Sequence, residues 1–192
     1  MSTKTKMDEM AERLADAALE EGIADALYAT VKSPIGTLLI AQTDKGLCRV
    51  AFQDEAEDEV LYEIARGVGP RLLSSRQHTA VVRDALEEYF AGGIKDLSLP
   101  VDLTLVRSDF RRKVLQRLRK VRGGRVTTYG ALAGSVGAPR AARAVGTACA
   151  TNPVPIVVPC HRVVPAGGGI ENYGGGVETK RWLLEFEGVL YE

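Results

Sequence analysis

Apolar residues at Met7, Met10, Leu14, Ala17 and Leu19 recur near helical spacing, which predicts an alanine-rich amphipathic helix over residues 6–26. From Tyr28 to Lys32 the pattern changes to alternation and predicts a strand. Ser33-Pro34-Ile35-Gly36 reads as a turn, because proline presets φ for the first corner. A second strand is expected at Thr37–Gln42, a turn at Asp44-Lys45-Gly46, and a third strand at Leu47–Phe52. Helical periodicity then returns. An acidic helix is predicted from Asp54 to Arg66 and another from Thr79 to Phe90, stopped at Gly92-Gly93.

Leu97–Leu105 reads as a linker with some strand character. Beyond it the pattern is almost wholly helical. Ser108–Arg122 predicts a helix with Ser108 as N-cap and Gly123-Gly124 ending it. Short helices are expected at Thr128–Val136 and Pro139–Ala150, the latter with proline in its first turn, joined across Gly137-Ala138. Such a pair resembles a helix-turn-helix. Ile156–Pro159 is a short apolar run, Pro165–Gly176 is a loop with six glycines, and Glu178–Gly188 is a closing helix. The fold expected is an α+β N-terminal domain, a small antiparallel sheet with helices, plus a mostly α C-terminal domain containing a helix-turn-helix. The expected divisions are 1–26 as an N-terminal helical extension, 27–104, and 105–192.

Composition narrows the class. At 192 residues, with 45% hydrophobic and 26% charged positions, the chain has the make-up of a globular protein of one or two small domains. No apolar run reaches the length of a membrane span, and Met1–Leu14 lacks the apolar core of a signal peptide. Three cysteines, Cys48, Cys149 and Cys160, fit free thiols in a reducing compartment, so a cytoplasmic protein with no membrane partner is expected. Net charge is zero but divided. Residues 1–100 hold 11 Lys+Arg against 18 Asp+Glu, and residues 101–192 hold 14 against 7. A basic half facing a polyanion and a chance imbalance on solvated helix faces both fit that split.

Chemistry concentrates at Val158-Pro159-Cys160-His161-Arg162-Val163. A thiolate is the effective nucleophile, and a free cysteine, with a pKa of about 8.5, needs a base or a positive field to supply one. His161 is the candidate base, since the other histidine, His78, lies in the acidic half. A base needs an orienting carboxylate, and the last helix offers Glu185 and Glu187. Prolines at 153, 155 and 159 stiffen the approach. The competing reading is a buried, inert cysteine. Cys48, in an apolar strand, and Cys149, in a small-residue helix, read as structural. With two histidines and no Cys-x-x-Cys, a closed zinc site is not expected, and no metal is assigned.

Pro159-Cys160-His161-Arg162-Val163 resembles the active-site signature of the O6-alkylguanine-DNA alkyltransferases. The likeness extends through Thr128-Tyr129, Ala141-Ala142-Arg143-Ala144-Val145-Gly146, Asn152-Pro153, Asn172-Tyr173-Gly174-Gly175-Gly176 and Leu183-Leu184-Glu185-Phe186-Glu187-Gly188, over roughly residues 108–188. Ser33-Pro34-Ile35-Gly36 and Tyr89-Phe90-Ala91-Gly92 resemble weaker marks of that family's N-terminal domain.

The resemblance implies single-turnover, direct-reversal DNA repair. Cys160 would accept the alkyl group from O6 of a guanine flipped out of the duplex, His161 would act as base, and Glu187 would orient it. Asn152 would brace the turn before the active site. Tyr129 would bond the flipped base and help neutralise the departing guanine. Tyr173, Gly174 and Val163 would form the base pocket, the glycine through its backbone N–H. Arg143 would enter the base stack, and Arg140, Thr128, Ala142 and Gly146 would touch DNA. The partner implied is double-stranded DNA carrying O6-alkylguanine, bound through the minor groove. No cofactor is implied, because the lesion is the donor, and a monomer is expected.

Read without the family, the small residues of Pro139–Gly146 also suit a helix lying against a groove about 6 Å wide, although buried packing explains them equally. The sequence departs from the family at Gln116, where tryptophan is common nearby, at Thr147, where a second small residue is usual, and in the N-terminal helix. Three other functions compete. A lesion-flagging binder would lack the acceptor cysteine, a Cys–His hydrolase would need an oxyanion hole, and a helix-turn-helix regulator would need base-reading side chains.

Overall fold

The computed structural model describes residues 3–170 and 173–189. The chain divides into two units, Met1–Glu87 with Leu99–Leu105, and Glu88–Ser98 with Val106–Glu192. Residues 88–98, which the sequence pattern grouped with the N-terminal half, therefore pack with the second unit.

In the first unit, α1 (Thr3–Glu20) stops six residues short of its predicted end and turns a different face inward. Ala15 and Ala18 are buried, while Met7, Met10 and Leu14 are exposed. Polar contacts anchor it. Glu12 accepts from the backbone N–H of Arg76 at 2.7 Å and of Gln77 at 3.2 Å, and Asp16 meets His78 Nε2 at 2.6 Å.

The sheet follows the predicted alternation. β1 (Ala26–Ser33), β2 (Gly36–Thr43) and β3 (Gly46–Ala51) pair antiparallel. α2 (Glu57–Gly67) lays Val60 and Ile64 against Leu39, Ala41, Cys48 and Ala51. It starts three residues later than predicted, because the Glu55 carboxylate accepts from Phe52 N–H at 2.8 Å and holds 52–55 in a turn. A fourth strand, β4 (Leu72–Ser74), pairs parallel with β1 and completes the order β3-β2-β1-β4. Three residues carry no readable alternation, so the pattern missed it. The supposed linker runs beside β3, where Leu47 N–H donates to Pro100 O at 2.9 Å and Asp102 N–H to Leu47 O at 2.9 Å. That approach explains Gly46, at φ +134°, where a Cβ would stand 2.5 Å from the Pro100 carbonyl. α3 (Ala80–Phe90) follows, and its last residues, from Glu88, belong to the second unit.

The second unit is mostly helical. α4 (Asp109–Leu118) is capped as predicted, with the Ser108 side chain accepting from Arg111 N–H. It ends at Leu118 rather than Arg122, because Lys120 and Val121 donate to carbonyls only three residues back and tighten the chain out of the helix. β5 (Thr127–Thr128) leads into α5 (Tyr129–Ser135), whose N-cap Thr128 accepts from Ala131 N–H at 3.1 Å. Gly137, at φ +80°, makes the turn that a side chain would strain. α6 (Ala142–Ala150) begins three residues after Pro139, which corrects the expectation of proline in its first turn. Residues 138–141 form a separate turn closed by Ala141 N–H to Ala138 O. α4, α5 and α6 pack pairwise, burying Val114, Leu115, Leu118, Leu132, Ala133, Val145 and Ala148. The expected α+β half and mostly helical half are thus both present.

Two short elements position the chemistry. β6 (Val163–Val164) pairs parallel with β5, and this ties the start of α5 to the residues just after Cys160. α7 (Val177–Phe186) buries Lys180, Leu183 and Leu184 and is followed by Glu187 as its C-cap.

Candidate functional site

Asn152 to Pro159 form a stiff loop that delivers Cys160 at the start of a 3-10 turn, Cys160–Arg162. Ile156 in this loop has φ +72°, a left-handed conformation that costs a β-branched residue about 1–3 kcal/mol and persists only where neighbours impose it. Asn152 is one such neighbour. Its Oδ1 accepts from Val154 N–H at 3.1 Å, which fixes the orientation of the amide. Its Nδ2 then donates to Val158 O at 2.8 Å and to Cys160 Sγ at 3.1 Å.

Cys160 is 5% exposed. Burial pushes its thiol above the ordinary range, while the Asn152 donor, the positive charge of Lys180 and the Tyr173 hydroxyl pull the other way. The resting group is a thiol. Chemistry at neutral pH then needs a base to take the proton as the sulfur reacts.

His161 and Glu187 are both fully enclosed, with His161 Nε2 3.0 Å from Glu187 Oε1. Burial alone would raise the Glu187 carboxyl, but its bonds to His161 and Arg162 outweigh that and hold it at about 2. An ionised carboxylate only accepts, so Nε2 carries the hydrogen. Burial lowers His161 despite Glu187, so the ring is neutral and Nδ1 keeps its lone pair. That nitrogen is buried without a partner among the described residues, which is the arrangement of a base.

Glu187 is also the centre of an ion-pair network. Arg162 donates from Nε to Oε2 at 2.9 Å and from a terminal nitrogen to Oε1 at 2.7 Å, and it reaches Asp96 at 2.9 Å. The Tyr89 hydroxyl donates to Oε1 at 2.7 Å. Lys180 Nζ donates to Val163 O at 2.7 Å. Tyr89, Arg162, Asp96 and Lys180 were given no role by the sequence, because residues from 89 to 187 meet here without any local pattern. The one available signal was the arginine inside the signature itself.

A cavity of about 540 Å³ opens beside Cys160, within the size range of small-molecule sites. Of the residues singled out in sequence, Tyr129, Ala142, Arg143, Gly146, Cys160, Tyr173 and Gly174 line it. Gly146 faces the Tyr129 ring, with a Cβ there 4.0 Å from Cε1, and a Cβ at Gly174 would meet nothing in the protein. Asn152, His161 and Glu187 are not lining residues. Val163 is buried in β6, Thr128 caps α5, and Arg140 is exposed in the turn before α6. Asn172 lies outside the described residues. Thr147, Cys149 and Ala150 also line the cavity and were missed. Cys149, read as structural, thus faces the site, and burial with the neighbouring Cys160 raises its thiol. Among the described residues no group of three or more His, Cys, Asp or Glu could hold a metal ion, and no helix is long and apolar enough to cross a membrane.

A packed helix pair thus stands beside a cavity that holds an enclosed thiol, next in sequence to a carboxylate-bound histidine. Residues 26–103 match the ribonuclease-like domain, and residues 109–189 the DNA-binding domain, of 6-O-methylguanine DNA methyltransferase. The methylated-DNA–protein-cysteine methyltransferase of Mycolicibacterium paratuberculosis is 39% identical over 160 residues, covering 83% of this chain and 91% of that protein. The crystal structure of the Mycobacterium tuberculosis O6-methylguanine methyltransferase superposes with a TM-score of 0.72 at 35% identity, covering 84% of this chain and 92% of that one. The same mycobacterial protein in complex with DNA gives a TM-score of 0.71 at the same identity and coverage. The chain belongs to the 6-O-methylguanine DNA methyltransferase family, with both of its domains present.

Proposed function

We propose that this chain repairs O6-methylguanine in DNA by direct reversal, with Cys160 itself taking the methyl group. The observation that carries the assignment is the enclosed Cys160 thiol lining a cavity roomy enough for a flipped base, next in sequence to a histidine whose Nδ1 is left bare by Glu187. His161 Nδ1 takes the thiol proton, relayed through a bridging water, as sulfur attacks the methyl carbon. The carbon–O6 bond breaks with its electron pair going to the guanine, whose anion takes up a proton from water at N1, and a thioether remains on Cys160. Such a thioether does not leave again, so each molecule acts once and needs no cofactor. Asn152 Nδ2, 3.1 Å from the sulfur, stabilises the charge that develops there.

The methyl carbon is out of reach inside the stack, so the guanine must be flipped into the cavity. Tyr129, Tyr173 and Gly174 line that space and receive the base, with Tyr129 donating toward the departing guanine. Val163, buried in β6, offers its backbone to the base edge. Arg143, exposed on α6, fills the gap left in the stack. The small residues Ala142 and Gly146 let α6 lie in the minor groove, and Thr128 and Arg140 contact the backbone beside it. All of these residues lie within 105–192, the proposed acceptor domain, and on one chain, so a monomer suffices. Reaction through a free thiol supports the reducing cytoplasm as its compartment.

Replacing the nucleophile tests this. Cys160→Ala abolishes transfer from an O6-methylguanine duplex while duplex binding stays within about threefold, since the phosphate and groove contacts are untouched. Transfer persisting in Cys160→Ala overturns the assignment.

A further inference from the structure

We infer that Tyr89, from the α3 end of the second unit, is a positioning residue for the transfer reaction that tunes the proton affinity of His161 through Glu187. The inference rests on the reading of Cys160 as acceptor and His161 as its base.

Tyr89 is 1% exposed, and its hydroxyl donates to Glu187 Oε1 at 2.7 Å. That oxygen is the one that His161 Nε2 bonds at 3.0 Å. Tyr89 and His161 therefore compete for one acceptor. A donor on Oε1 withdraws charge from it, which weakens its pull on Nε2–H and disfavours the imidazolium. A structural partner for the carboxylate was already available, because Arg162 bonds both oxygens. Burial and the Glu187 charge push the Tyr89 phenol well up, so it stays a donor throughout the working range. The ring is held edge-on by Phe90 at 5.1 Å and Phe186 at 5.5 Å, which fixes where the hydroxyl points.

The other groups around this pair are Arg162 with its partner Asp96, Lys95 at the Glu187 carbonyl, Lys180, Tyr173 and Cys160. Of these, Arg162 and Tyr173 also sense the Tyr89 hydroxyl, so the shift is read on the His161 ring itself.

The test is the pH dependence of the single-turnover transfer rate on an O6-methylguanine duplex, for the unaltered protein and Tyr89→Phe, together with an NMR titration of the His161 ring. In Tyr89→Phe the acid limb and the His161 titration both move up by about one pH unit, and the alkaline plateau stays within about threefold. Replacing Tyr89 with 3-fluorotyrosine, a stronger donor, moves both downward and serves if Tyr89→Phe folds poorly. An acid limb at the same pH in both variants overturns the inference, whether or not the plateau falls, since a purely structural tyrosine lowers the rate at every pH alike. Failure of the underlying reading looks different, because the unaltered protein then carries no methyl group on Cys160.

Discussion

Asn152 and Cys160 are joined by a side-chain hydrogen bond of 3.1 Å, from the same nitrogen that also holds the Val158 carbonyl at 2.8 Å. One amide thus shapes the loop and faces the Cys160 thiol. Asn152→Ala removes a donor from the developing thiolate, and the transfer rate falls by about 100-fold, the usual scale for losing one preorganised donor. The pH dependence of iodoacetamide labelling at Cys160 checks the cause. The labelling midpoint moves up in Asn152→Ala, and an unmoved midpoint with an unchanged rate contradicts the role.

Glu187 neutralises Arg162 inside the second unit, where both are almost fully enclosed. Glu187→Gln leaves the guanidinium with the Val121 and Lys95 carbonyls and with Asp96 as its carboxylate partner, which is half exposed. A loss of about 3 kcal/mol in unfolding free energy is expected from breaking such a pair. Urea denaturation measures it, and a change under about 0.5 kcal/mol, the scale of an ordinary surface substitution, contradicts the account.

Stability should fall on the acid side in two stages. His161 titrates below 6.5 in the folded chain, so as pH drops through 6.5 the unfolded chain binds a proton that the folded one refuses. Glu187 then adds its share as pH falls from about 4.5 toward 2. On the alkaline side, buried thiols with raised values, Cys48 at about 12 among them, favour unfolding above about pH 9. Melting temperatures should be highest between these limits. In Glu187→Gln the lower acid stage shrinks to the shares of the other carboxyls held low, Asp25, Asp102 and Glu12, and a melting profile there that matches the unaltered protein contradicts the assignment.

Arg143 lines the cavity and Arg140 does not, and both are exposed. Arg140→Ala should reduce the slope of log affinity against log salt by about one while leaving the rate at saturating duplex unchanged, as for a phosphate contact. Arg143→Ala should slow transfer from duplex DNA at saturation, because extrahelical guanine is no longer trapped. Stopped-flow rates and salt titrations separate the two, and identical behaviour of both variants contradicts the division of roles.

Wherever one contiguous stretch carried the signal, the sequence was readable. The alternation of β1 to β3, the Ser108 cap and the run around Cys160 all lie within a few residues. Pairings across distance were not readable. β4 has three residues and β5 and β6 have two each, too short for periodicity. The face of α1 was misjudged because small Ala15 and Ala18 pack inward while the bulkier Met7 and Met10 remain outside. Among the site residues, Cys160 and His161 stood out by chemistry and by resemblance, and the resemblance alone chose Glu187 over Glu185. Lys180 and Cys149 did not, and Tyr89 did so only within a family mark that gave it no role, since a buried tyrosine, lysine or thiol shows its part only when tertiary structure supplies its partner.

The most direct measurement is the mass of the peptide bearing Cys160 after incubation with a duplex containing one O6-methylguanine. The account predicts a gain of one methyl group on Cys160, at one per molecule, with guanine restored in the DNA. An unmodified Cys160 peptide alongside repaired DNA, or a methyl group on Cys149 or Cys48 instead, contradicts it.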